Sequence, residues 1–301
     1  MQSARYVKIV QTGNKGLYWS IHEFNLKNLV GTPQDTTFTV SYYDGDTLVD
    51  SQTFDDGQSV QTLPKLEKDG YIFAGWYTQK VTLNSVSAVS AAASKAAAVQ
   101  NISDDTALYA GWINIGTGNK SFELLGTQIR TTEPTGLRFI TQIGTTLIAQ
   151  IEALNAANAS LQPDSTADKG IGFGTVVTMA SLVGNAQIEK DVNVTKVTKG
   201  MAVCPAVKLF ERTDDYYQYT AVVTGITARH YQTDIAARPY ITYRDANGIE
   251  RTYYYTEKGT NAGGGYSVSI YTAAKAFYAN HAVSNAVKQW LYNNIISVVE
   301  G

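Results

Sequence analysis

Cysteine occurs once in this chain, as Cys204, so no internal disulfide can form. That excludes the small, disulfide-stapled class of secreted domain. It leaves secretion itself open, because bacterial extracellular proteins often carry no disulfide. Cys204 precedes Pro205 in an apolar run, Met201 to Val207, which reads as a small buried residue rather than a nucleophile. Charge is also scarce. Charged residues make up 17%, with 24 Lys and Arg against 26 Asp and Glu. A net charge of −2 argues against a general nucleic-acid binder, which needs a basic surface to meet phosphate. No apolar run reaches the roughly 18 residues of a membrane-spanning helix. The first residues are polar and lead into a strand pattern, not an apolar targeting segment. No histidine-rich metal spacing, serine elbow or phosphate-binding loop is visible. "GIGFG" at 170–174 lacks the helix that a dinucleotide fingerprint requires, and "NAGGGYS" at 261–267 reads as a loop. The expectation is therefore no catalytic residue, no metal and no cofactor.

What is abundant is tyrosine, 20 residues against 9 Phe and 4 Trp. Tyrosine joins an apolar ring to a polar tip, which suits half-buried strands and equally suits surfaces that bind sugars. Strand-like runs alternate with turn punctuation: "YYDGD" at 42–46, "DDG" at 55–57, "KDG" at 68–70, "DANG" at 245–248. Asn247-Gly248, between "RPYITYR" and "IERTYYY", predicts a tight two-residue hairpin turn. Helical spacing is limited to Thr146–Ala159 and to one or two helices in Tyr271–Ile296, broken near Asn280-His281. The Ala/Ser-rich run at 83–100 predicts a helix on a sheet or an insertion. Polar, Gly-containing stretches at 29–35 and 114–120 mark boundaries. The fold class expected is mainly β: a small β-grasp-like domain, then a larger β-sandwich-like domain with one or two helices.

Three segments follow, at 1–29, 36–113 and 120–301. "RYVKIVQTGNKGLYWSIHEFNL" in the first resembles the closing strands of a discoidin-type (F5/8 type C, family 32 carbohydrate-binding) module. The resemblance implies a C-terminal remnant of a longer domain, and no sugar site carries over to Trp19 or His22. In the second, "FTVSYYDGDTLVDSQTFDDGQSV", "LPKLEKDGYIFAGWYT" and "ISDDTALYAGWI" resemble the Listeria–Bacteroides repeat, a β-grasp-like module of bacterial surface proteins. Trp76 and Trp112 are expected to fill one small core there. In the third, "GTQIRTTEPTGLRFITQI" and "TAVVTGITARHYQTDIAARPYITYRDANG" resemble an uncharacterised β-rich C-terminal module of Firmicutes surface proteins and glycosidases.

Arg130, Arg138 and Arg238 lie inside apolar strand runs of this third segment. Burying an unpaired charge costs several kcal/mol, so an ion-pair network with Glu123, Asp234 and Asp245 is expected. Asp214-Asp215 reads as a hairpin turn rather than the pair of facing carboxylates that glycoside hydrolysis requires. The candidate ligand-binding residues are Tyr216, Tyr217, Tyr219, Tyr253 and Tyr255. Strand alternation puts Tyr217 with Tyr219 and Tyr253 with Tyr255, each pair on one face. An exposed row of rings would stack on pyranoses. The functional expectation is a non-catalytic accessory region of a secreted or cell-surface bacterial carbohydrate-active enzyme. Its partners would be a glycan, on a polysaccharide or host glycoprotein, and an upstream catalytic domain in the same parent chain. The alternative is a structural spacer or adhesion segment without a sugar site.

Overall fold

The computed structural model describes residues 36–97, 100–115, 121–155, 172–183, 187–190, 202–205, 209–256 and 264–301. The discoidin-like stretch, with Trp19 and His22, lies outside them. So do the 29–35 boundary and parts of the 114–120, 146–159, 170–174 and 261–267 readings.

The molecule is mainly β, as expected, with strands in 44% and helix in 23% of the described residues. The first sheet is built from β1 (Thr37–Asp44), β2 (Thr47–Asp55), β3 (Tyr71–Tyr77) and β4 (Thr106–Asn114) in the order β2-β1-β4-β3. β1 and β4 run parallel at the centre and each outer pair is antiparallel, the β-grasp arrangement. The Ala/Ser-rich run forms α1 (Val86–Ala92), capped by the Ser85 hydroxyl and anchored by buried Val89 and Ala92.

Strand β3, "YIFAGWY", is buried on both faces, and a bulge makes that possible. Its register shifts between Phe73 and Gly75, and Gly75 has φ +120°. Phe73 and Trp76 are three residues apart, so strict alternation would oppose them. The extra residue turns Trp76 onto the face of Phe73. There Trp76 meets Tyr42 edge-on at 4.9 Å and Phe73 at 5.5 Å, with half-buried Trp112 packed alongside. The two tryptophans thus share one core. Ile72, Ala74 and Tyr77 face the other way.

That second face is covered by the C-terminal module. β5 (Phe122–Arg130), β6 (Gly136–Gly144), β9 (Leu209–Arg212) and β10 (Tyr216–Thr224) form one sheet, in the order β5-β6-β10-β9. β7 (Gly172–Met179), β8 (Ala202–Pro205), β11 (Ile235–Arg244), β12 (Glu250–Tyr254) and β13 (Tyr266–Val268) form the other, with β11 between β7 and the β12/β13 edge. The sheets meet through β7 and β10, where the Phe173 and Tyr219 rings lie 4.9 Å apart and the Tyr219 hydroxyl donates to the Gly174 carbonyl at 3.0 Å. α2 (Thr145–Glu152) buries Leu147, Ile148 and Ile151, the apolar stripe read from sequence. α3 (Ile270–Ala279) and α4 (Asn285–Leu291) close the chain's end, separated at Asn280-His281 as expected.

The repeat and this sandwich share a single core. Ile72, Ala74, Tyr77 and Ile113 pack in one cluster with Phe122, Ile151, Tyr219, Ile241 and Tyr243. Thr37–Gly301 is accordingly one compact unit. The hairpin loop between β11 and β12 completes the join. It is not the two-residue turn expected from Asn-Gly. Asp245 N–H donates to the Ile249 carbonyl and Gly248 N–H to the Asp245 carbonyl, with Gly248 at φ +78°. This is a three-residue loop with a glycine bulge. Asn247 keeps a negative φ because its amide has another task. Its Oδ1 accepts from Trp76 N–H at 2.7 Å, and its Nδ2 donates to the carbonyls of Trp76 at 3.0 Å and Ala97 at 3.2 Å. Beside it, Ala246 N–H donates to the Ala74 carbonyl, and the Tyr243 hydroxyl donates to the Phe73 carbonyl at 2.7 Å. A Cβ on Gly75 would stand 2.7 Å from Asn247 Oδ1, so glycine is required for the close approach as well as for its φ.

Asn247→Ala is expected to orphan the Trp76 N–H and the Ala97 carbonyl, while the Trp76 carbonyl keeps its bond from Ala97 N–H, and to cost about 2–3 kcal/mol. Urea unfolding of the chain checks this, and the repeat and sandwich should still melt in one transition because they share a core.

Candidate functional site

The join leaves a cleft of about 100 Å³. One wall is the segment before β3, Lys65–Asp69, with Tyr71 and Phe73. The other is the β11–β12 hairpin, with Arg238, Arg251, Thr252, Tyr253 and Tyr254, and Glu189 beside it. Asp245 supports this lining from behind, through Arg251. It is fully buried, and its Oδ1 accepts from the N–H groups of Asn247 at 2.9 Å and Ile249 at 3.0 Å. Its Oδ2 accepts from Arg251 Nε at 2.9 Å. The Arg251 guanidinium lies over the Phe73 ring, 5.3 Å from its centre, so it also ties the two walls.

The two cleft arginines differ in how their donors are used. Arg238 spends all three kinds. Nε donates to the Tyr255 carbonyl at 3.0 Å, Nη1 to the Ile188 carbonyl at 3.2 Å, and Nη2 to Thr256 Oγ1 at 3.0 Å. Burial pulls its pKa below the usual arginine value, and the charge of Glu189, 3.9 Å away, opposes that pull. Arg251 Nη2, by contrast, is buried without a hydrogen-bond partner among the described residues. Burial pushes the Tyr253 hydroxyl up to about 12, and the Asp69 carboxylate adds to the shift.

The five tyrosines named from sequence are dispersed. Alternation holds, and the shared face is the inward one. Tyr219 belongs to the core, with Tyr217, Tyr253 and Tyr255 packed against it. At 1% exposure Tyr219 presents no surface to a ligand, which removes it from the binding set. Tyr217 lies beneath Arg212, whose guanidinium is 4.7 Å from the ring centre. Tyr216 points the other way, with its hydroxyl donating to Glu211. Tyr253 and Tyr255 both contact the Phe122 ring, at 6.0 and 6.2 Å. Of the five, Tyr253 lines the cleft, and Tyr71 and Tyr254 join it there.

The expected arginine partners are also corrected. Asp245 pairs with Arg251, not Arg238: residues 238 and 245 are seven apart, an odd separation that alternation sends to opposite faces. The carboxylate near Arg238 is Glu189. Arg130 donates to the carbonyls of Thr132 and Glu133 in its own turn, and Arg138 lies 5.1 Å over the Phe210 ring. The sequence reading missed Arg251 and the Lys65–Asp69 wall. The available signal was "KLEKDG", an alternating-charge stretch immediately before the buried β3. Cys204 sits partly buried in β8, and burial raises its thiol pKa. Among the described residues no cluster of three or more histidine, cysteine or carboxylate groups is arranged to hold a metal. Nor is any helix long and apolar enough to cross a membrane.

The family model of the Listeria–Bacteroides repeat domain matches residues 38–111, the span of the first sheet and α1. Repeats of this kind occur in bacterial surface proteins, and the match points to an accessory domain of such a protein. No curated protein and no solved structure matches the chain.

Arg251→Met should strand the buried Asp245 charge and destabilise the chain by about 3–5 kcal/mol. Lys65→Met, which removes an exposed pair with Glu67, should change stability by less than about 1 kcal/mol. Urea denaturation compares the two. Alkali should act through the buried tyrosines. Tyr42 and Tyr253 are both raised to about 12, so the unfolded chain loses these protons first. Their stabilisation is complete below about pH 10 and declines as pH climbs toward about 12. Unfolding free energies measured across that interval should fall, while those from neutrality to about pH 9 should show no loss from this source.

Proposed function

We propose that this chain is a non-catalytic accessory region of a secreted or surface-attached bacterial carbohydrate-active enzyme, and that it binds glycan in the cleft between repeat and sandwich. The observation that carries the reading is the two-sided aromatic lining, Tyr71 from the repeat and Tyr253 with Tyr254 from the sandwich, set among charged hydrogen-bonding groups. Pyranose rings combine apolar faces with a hydroxyl rim, so they match rings beside fixed donors and acceptors. Fixed walls favour such a ligand, because little ordering is needed on binding. The repeat supports the surface location, and the parent enzyme would carry the chemistry. The upstream catalytic domain in the same chain follows from that role.

A second reading, a spacer with no sugar site, draws support from the inward packing of Tyr217 and Tyr219. A glycan array followed by affinity electrophoresis separates the two. Saturable binding that Tyr71→Ala weakens by about tenfold or more supports the first reading, since stacking on one ring is worth on the order of 1 kcal/mol or more. Complete silence across the array supports the spacer.

A further inference from the structure

The charges of the cleft are matched in kind. Lys65 is paired with Glu67 at 2.7 Å, and Arg238 stands 3.9 Å from Glu189. Arg251 is held by Asp245 at 2.9 Å. Lys68 and Asp69 are neighbours on the same wall. Four cations line the cleft with three carboxylates, and the wholly buried Asp245 behind Arg251 brings the fourth negative charge, so the cleft has no excess of either sign to attract a charged ligand. Lys68 lies over the rings of Tyr71 and Trp112, at 4.6 and 5.5 Å.

Within this lining one buried side-chain nitrogen has no acceptor among the described residues. Arg251 is rigid: its side chain is 9% exposed, its Nε is bonded to Asp245, and its plane rests over Phe73. Its positive charge is already neutralised by a carboxylate that is wholly buried. Its Nη2 nevertheless has no acceptor among the described residues, although such groups are nearly always satisfied. An N–H whose charge is balanced suits a neutral oxygen. A ligand carboxylate or sulfate would bring a further negative charge toward Asp69, Glu67, Glu189 and Asp245.

We infer that the cleft takes an uncharged glycan, with the Arg251 guanidinium donating to a sugar hydroxyl or ring oxygen and Tyr71 flanking the ring. This rests on the glycan-binding reading and adds the class of glycan. Arg251 thereby sets specificity, and Arg238, with every kind of donor engaged, acts as a brace.

Calorimetric titration of the 301-residue chain tests this with neutral gluco-, galacto-, manno- and N-acetylhexosamine oligosaccharides. Uronic-acid and sulfated counterparts are titrated alongside, each at low and high NaCl. The expected result is binding of a neutral member with a Kd that changes less than about twofold with salt, and acidic counterparts weaker by about tenfold or more. Arg251→Lys, which keeps the charge for Asp245 and removes the second donor, should weaken the neutral ligand by about tenfold with unchanged circular dichroism. If that variant does not fold, the wild-type titrations decide alone. Preferential binding of the acidic members with steep salt dependence would overturn the inference and leave glycan binding standing. Silence toward every member, neutral and acidic, would remove both.

Discussion

The fold depends on one short loop reaching into a bulge. Asn247 meets the backbone of β3 at the residue after Gly75, with two hydrogen bonds to Trp76 and a third to the Ala97 carbonyl beside this edge strand. The cause and its effect are reciprocal. The bulge turns Trp76 into the repeat's own core, where its carbonyl accepts from Ala97 N–H at 2.9 Å. The loop supplies an amide that satisfies the Trp76 N–H and adds a second bond to that carbonyl. Neither arrangement is stable alone, since buried backbone groups without partners are costly. Asp245 keeps the loop in shape by accepting two of its N–H groups and the Arg251 guanidinium.

From this contact follow the shared core and the cleft. β3 is buried on both faces because the sandwich covers Ile72 and Ala74 while the repeat's own core holds Phe73 and Trp76. Two β modules that would each leave a sheet face exposed instead bury them against each other. The cleft is what remains at the rim of that contact. Its walls come from different modules, but the Asp245–Arg251–Phe73 chain of contacts holds them at a set spacing. A cleft formed this way is preformed, and Lys65, Arg238 and Arg251 on it each have a carboxylate within 4.0 Å.

Much of the architecture was legible because it rests on local chemistry. The α2 stripe of Leu147, Ile148 and Ile151 and the break between α3 and α4 follow from periodicity and turn residues, while the β-grasp arrangement was implied by the resemblance of 36–113 to the Listeria–Bacteroides repeat. The alternation of Tyr217 with Tyr219 was legible too, but not the direction of that face, since strand periodicity is blind to which side another module covers. Asn247 misled for a related reason. Asn-Gly is a turn signal through its backbone, whereas here the asparagine serves through its side chain, to a strand 171 residues away. Arg251 was hidden among tyrosines. What distinguishes it is Asp245 on the facing arm of the hairpin, and that pairing needs the three-residue loop length rather than the two-residue turn.

Native-state hydrogen exchange of the Trp76 and Ala246 amides addresses the central claim directly. If the loop and the bulged strand form one cooperative unit with both cores, these two amides exchange only through the global opening that also exposes the amides of Phe139 and Ile241. Exchange of Trp76 and Ala246 at a much lower opening free energy than those strands would mean that the modules part while each stays folded, and would contradict the account.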